Sequence, residues 1–89
     1  MNIDGLQTGV EYYYDRSKSW EWFDGQENWW EIFVTISGFN GVGGLWIKEE
    51  WRWNNSRETI REDVRSTTCE QGREIIAKIK SHLSKTISV

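Results

Sequence analysis

The chain has 89 residues, a net charge of −3, seven Trp, three Tyr, three Phe, one Cys and one His. This is enough for one domain with one small core, which buries roughly 60–65% of the surface its unfolded chain exposes. A single Cys and a single His exclude an internal disulfide and a Cys/His zinc site, the acidic balance disfavours nucleic acid, and no apolar run approaches the ~20 residues of a membrane span.

Aromatic side chains must therefore fill the core, since each buried ring removes roughly 150–250 Å² from water. Met1 to Gly5 carries neither a basic region nor an apolar stretch. With a lone thiol, Cys69, this sets the expectation of a reducing, cytoplasmic setting. Residues 1–56 hold nine acids and four bases, and residues 57–89 hold five acids and seven bases. The acidic part favours a basic partner or simply solubility.

In chain order, Val10 to Tyr14 reads as a strand from its aromatic content. Asp15 to Ser19 is a polar turn, and Trp20 to Phe23 is a second short strand. Asp24 to Asn28 contains Asp-Gly, a hairpin signal. Trp29 to Ser37 is the clearest strand, with Trp30, Ile32, Val34 and Ile36 alternating on one face. Gly38 to Gly44 is a glycine-rich loop, and Leu45 to Trp53 is a fourth strand closed by Asn54-Asn55-Ser56. There is no proline, so glycine and Asn/Asp supply the punctuation.

The period then changes. Asn55 with Glu58 fits a capping-box helix start, as does Thr68 with Gln71. Ile75, Ile76, Ile79 and Leu83 recur at helical spacing, and Lys78, Lys80 and Lys85 suit a helix C-terminus. Residues 69–84 are read as helix. Residues 57–67 are also read as helix, with a break near 66–68; a further strand is the competing assignment. The expected fold is α+β: a single domain over 1–89, with a four-stranded antiparallel meander over about 9–53 and a helical region over about 56–84, in ββββα order.

Alternation assigns side chains to faces. The helix-covered face should hold Val10, Tyr12, Tyr14, Trp20, Trp22, Trp30, Ile32, Val34, Ile36, Leu45, Ile47, Trp51 and Trp53. The opposite face should hold Tyr13, Phe23, Trp29, Phe33 and Trp46 among Glu11, Glu21, Glu31, Lys48, Glu50 and Arg52. Aromatics ringed by acids mark an interaction site when exposed. The competing explanation is that residues 57–67 and the N-terminal arm fold over this face and make it core.

Chemical motifs are sparse. Gly38 to Gly44 lacks the Lys-Ser/Thr end of a phosphate loop and sits between strands. Cys69 falls at a helix start, but His82 lies roughly 20 Å along the same helix at 1.5 Å per residue, so no Cys–His pair forms. Glu49 and Glu50 point to opposite faces and make no general acid/base pair. Glu49 shares the parity of Ile47 and Trp51, so burial there requires an Arg or indole N–H partner. Trp20-x-Trp22 and Trp51-x-Trp53 place paired indoles on one face, as core or as a stacking platform for sugars or cations.

In short length, acidity, aromatic richness and absence of a catalytic set, the chain is similar to small immunity proteins that neutralise nuclease toxins and to small phage anti-defence inhibitors. The resemblance lies in composition and size and transfers no residue roles. The expected function is a non-enzymatic, cofactor-free, metal-free protein-binding inhibitor. It would occlude a basic protein partner, such as a nuclease toxin or another nucleic-acid-handling protein, through Trp29, Phe33, Trp46, Glu31 and Glu50, with Tyr13 and Phe23 alongside. The alternatives are an aromatic platform for a carbohydrate or cationic ligand, and a homo-oligomer that buries the second sheet face against itself.

Overall fold

The computed structural model describes residues 1–21 and 25–87, with side chains up to residue 84. Its strands are β1 (Asn2–Ile3), β2 (Leu6–Gln7), β3 (Glu11–Arg16), β4 (Trp20–Glu21), β5 (Glu27–Asn28), β6 (Trp30–Phe39), β7 (Leu45–Trp53) and β8 (Thr59–Ser66), followed by the helix α1 (Cys69–Ile87). The main sheet is antiparallel, in the order β3-β6-β7-β8. The expected α+β class and the four-strand-then-helix order hold.

Membership of the sheet differs from expectation in two places. Trp20–Glu21 does not join it; β4 pairs with β5 in a separate ribbon, Trp20 opposite Asn28 and Glu21 opposite Glu27. The rest of the expected second strand, with Trp22 and Phe23, lies outside the described residues. The fourth strand of the sheet is instead β8, within the segment read as helix. The cause is local. Arg57 takes a left-handed φ of 59°, which a right-handed helix cannot pass through. Its N–H donates to Trp53 O at 3.0 Å, and Trp53 N–H donates to Glu58 O at 3.1 Å, turning the chain back along β7. Asn55 and Glu58 therefore belong to a hairpin turn and not to a helix cap.

The N-terminus also contributes structure ahead of the expected sheet boundary. Asp4 and Gly5 both have positive φ, 51° and 92°, the geometry of a two-residue hairpin turn that matches strand twist. The Asn2 carboxamide oxygen accepts from Gly5 N–H at 2.8 Å. This hairpin places Ile3 and Leu6 in the core with Val34, Ile36, Leu45, Ile47, Ile75, Ile76 and Ile79. Aliphatic residues rather than tryptophans thus form the centre, with Tyr12 and Tyr14 packed beside it. Val10, expected under the helix, is 44% exposed.

Helix α1 begins as its sequence predicts. Gln71 N–H donates to Thr68 Oγ1 at 3.1 Å and Thr68 N–H donates to Gln71 Oε1 at 3.2 Å, a reciprocal cap. Just upstream the chain threads a tight junction. Thr67 Oγ1 accepts from Leu45 N–H at 3.0 Å, and Asn40 Nδ2 donates to Thr67 O at 2.7 Å. Asn40 Oδ1 accepts from the N–H groups of Val42 and Gly44, each at 3.0 Å. A Cβ on Gly44 would lie 1.9 Å from Thr67 O, and one on Gly72 would lie 3.2 Å from Leu45 Cγ.

Gly44→Ala is expected to destabilise the protein by about 2–4 kcal/mol through backbone displacement. Gly38→Ala, where nothing lies within 4 Å of the added carbon, is expected to stay within about 0.5 kcal/mol of wild type. Urea denaturation midpoints compare the two; equal losses would show that the junction is not the tight point.

Candidate functional site

Helix α1 and the β1–β2 hairpin cover one face of the sheet at the β6–β7 core. At the far end of the same face, Trp20 of the ribbon packs on Trp30 and Trp53, with ring centroids 5.2 and 5.5 Å away, and Trp30 and Trp53 are 3.8 Å apart. These indoles pack on one another at tilts of 49°, 55° and 49°.

Among the described residues, no helix or strand covers the other face. Register sets its rows across β3, β6, β7 and β8: Glu11–Thr35–Lys48–Val64, Tyr13–Phe33–Glu50–Glu62 and Arg16–Glu31–Arg52–Thr59, with Trp46 between Gly38 and Ser66. Among the described residues, the contact of His82 with Tyr13, 4.8 Å between rings, marks the margin of this face at β3.

Arg52 organises the centre. Its guanidinium lies 4.6 Å over the Phe33 ring, donates to Glu11 Oε1 at 2.7 Å and also bonds Glu50. Lys48 Nζ lies 3.2 Å from Glu50. The Glu50 side chain is only 12% exposed. The hydrogen bond from Arg52 is the chief cause holding its carboxyl below the usual glutamate range, against the opposing effect of burial. Burial first, then the Glu31 and Asp15 charges, push the Tyr13 phenol upward. Arg16 covers Trp29 at 4.7 Å.

Of the residues expected to form the site, Tyr13, Phe33, Glu31, Glu50 and Trp46 do share this face. Their exposure is unequal. Phe33 lies beneath Arg52, Trp29 beneath Arg16, and Tyr13 is half-buried against Phe33 and His82. Among the described residues, Trp46 alone of the expected aromatics is exposed, at 46%; Phe23 lies outside them. The acids are also less free than expected. Glu11, Glu31, Glu50 and Glu62 share the face with Arg16, Lys48 and Arg52, leaving an excess of one negative charge. Sequence reasoning missed Val64, 67% exposed on the same face, because it was assigned to a helix.

Elsewhere, Glu49 has the partners that its parity requires: Trp51 Nε1 donates to it at 2.7 Å and Arg65 lies 3.6 Å away. Cys69 helps line an apolar cleft of about 290 Å³ with Ile3, Phe39, Leu45 and Ile76. No described helix is long and apolar enough to cross a membrane. No protein-family model matches the chain, and no match was found among curated proteins or solved structures.

A carboxyl held low in the folded state stabilises fully above its unfolded pKa, about 4.3 for Glu. That contribution is lost as pH falls through the folded value. Wild type is therefore expected to lose stability with acidification below pH ~4.3, and Glu50→Gln is expected to flatten that slope. Asp15 contributes in the same sense: burial raises its carboxyl, but the Lys78 and Arg16 hydrogen bonds outweigh it and hold it low. Urea midpoints across the acid range test this, and parallel profiles for wild type and Glu50→Gln would exclude a role for the Arg52 cluster.

Proposed function

We propose that the chain is a small protein-binding module of the inhibitor or immunity type, whose open sheet face covers a surface of a basic protein partner. One observation carries this reading: an indole stands 46% exposed at Trp46, on a sheet face framed by internally satisfied ion pairs. Trp is among the side chains that most often anchor interfaces, because it offers large apolar area with few rotors. Pre-formed pairs such as Arg52 with Glu11 and Glu50 hold the surround rigid before contact, which lowers the ordering cost of binding.

The mechanism is occlusion without catalysis. Trp46 enters an apolar pocket of the partner, while Phe33, Tyr13 and the edges of the ion-pair network make the flat surround. The pairing of the face acids makes them poor new partners for Lys or Arg, so aromatic contact does most of the holding. The net charge of −3 steers a basic partner, such as a nuclease or another nucleic-acid-handling protein, towards the chain. A lone thiol suits a cytoplasmic setting. The alternative of a tryptophan ladder for sugars or cations loses its motivation where Trp20, Trp30 and Trp53 stack on each other.

Trp46→Ser is expected to weaken partner binding at least tenfold, about 1.4 kcal/mol or more, with an unchanged denaturation midpoint. Affinity capture from the native cell, comparing wild type with Trp46→Ser, should retain a stoichiometric basic protein on the wild-type chain only. Retention of the same protein equally by both chains, or of none by either, would remove the proposal.

A further inference from the structure

We propose that the outer edge of β8 pairs antiparallel with the same edge of a second copy of this chain, joining two four-stranded sheets into one. This edge borders the open face and shares Glu62 and Val64 with it, but strand pairing along β8 does not require that face to bind a partner.

β8 ends the main sheet, and all of its residues except Asp63 are exposed. Among the described residues nothing pairs with its outer side. The opposite edge, β3, is guarded. Lys78 of α1 bonds Asp15 at 2.5 Å and lies 4.9 Å over the Tyr14 ring, and Tyr12 Oη accepts from Gln7 N–H of β2 at 2.9 Å.

An unpaired edge usually carries charges and bulges that deter pairing. β8 has both, but its charge pattern favours particular registers instead of forbidding all. A two-fold axis normal to the sheet keeps like faces together and makes an isologous contact. With the axis at Glu62, Arg61 of each copy faces Asp63 of the second copy, and Ile60 faces Val64. Ile60 and Val64 are the apolar residues of this strand, and they are 41% and 67% exposed. With the axis at Asp63, Asp63 meets its own equivalent and Arg61 meets Arg65. With the axis at Arg61, arginine meets arginine and Ile60 meets Glu62. With the axis at Val64, Asp63 meets Arg65 and Val64 meets its own equivalent, but Ile60 faces residue 68, beyond the end of β8, and stays uncovered; the axis at Glu62 is the one that pairs both apolar residues. Opposite charges directly across strands stabilise a sheet, and like charges destabilise it.

Within one chain Arg61 Nε already donates to Asp63 at 2.8 Å. Its remaining N–H groups and the second carboxylate oxygen are available to extend this pair into a ladder across the axis. The meeting of the two Glu62 side chains is unfavourable, and a cation stands near each: Lys48, held chiefly by its hydrogen bond to Glu50 and then by the charges of Glu50 and Glu62, faces Val64 in register. The bulge at Ile60, between the Trp51–Arg61 and Arg52–Thr59 pairs, bends the strand away beyond that point. The paired segment therefore runs over residues 60–64.

Sedimentation equilibrium of the full chain tests the inference, with helix content checked by circular dichroism. Wild type should show a reversible monomer–dimer equilibrium. Arg61→Asp and Asp63→Arg should each weaken it by about tenfold or more, since every substitution acts at two symmetric positions. The double reversal Arg61→Asp/Asp63→Arg should restore the wild-type equilibrium. A wild-type chain that stays monomeric to millimolar concentration, a dimer that neither single reversal weakens, or a double reversal that fails to restore association would overturn it.

Discussion

The Thr67 carbonyl leaves no space for a side chain at residue 44, and the layout of the molecule depends on that contact. At this point the end of β8, the start of β7 and the first turn of α1 come together. Thr67 accepts from Leu45 N–H through its hydroxyl, and its own N–H donates to Leu45 O at 2.8 Å. The chain is thus held to β7 as it leaves the sheet. Asn40 closes the other side by bonding Thr67 O, and Gly72 lets the helix approach Leu45. These contacts direct α1 back over Val34, Ile36 and Ile47. The side the helix takes decides which face becomes core and which stays open.

Much of this was legible in the sequence. The alternation of Ile32, Val34 and Ile36 against Leu45 and Ile47 needs no tertiary information, because a two-sided strand writes its core face directly into the period. The parity of Phe33, Trp46, Lys48, Glu50 and Arg52 followed from the same rule, since the one register shift between β6 and β7, at Ile36/Gly38, adds its extra residue to β6 and leaves the alternation along β7 intact. The Ile3-Asp4-Gly5-Leu6 run carries a two-residue hairpin signal, but its strands of two residues each are too short to display a period. β8 was illegible for a physical reason: it buries neither face, so it has no apolar period to display. Ile60 and Val64, four residues apart, imitated a helical stripe. Nor does spacing reveal that Arg52 reaches across Phe33 to Glu11, because a side chain that long can meet several neighbours.

The two cation–aromatic contacts share a logic. Phe33 and Trp29 point away from the helix, where an uncovered ring would add to an apolar patch. Arg52 and Arg16 cover them with weakly hydrated planar groups that retain their charge and hydrogen bonds. Among the described residues Trp46 has no such cation over it, and Gly38 and Ser66 are its neighbours in register. Its exposure reflects the small size of its neighbours, in contrast to the fitted surroundings of Phe33. A surface that covers two of its rings and exposes a third offers one apolar anchor, and the proposed contact rests on it.

The width of the sheet explains why β8 is bare on both sides. Strands lie about 4.8 Å apart and a helix is about 10 Å across, so one helix spans roughly two or three strands of a four-stranded sheet. α1 is drawn towards β3 by the Lys78–Asp15 pair and leaves the β8 side uncovered. The molecule measures 20 Å in its thinnest direction, which accommodates one sheet and one helical layer. β8 therefore gains its order from pairing with β7 and from short-range contacts such as Arg65 with Glu49 and Arg61 with Trp51. A strand held from one side only keeps its outer backbone groups available, and their next partner must be water or another strand. Burying the exposed Ile60 and Val64 against one another favours the strand, and the alternating charges between them determine which strand fits.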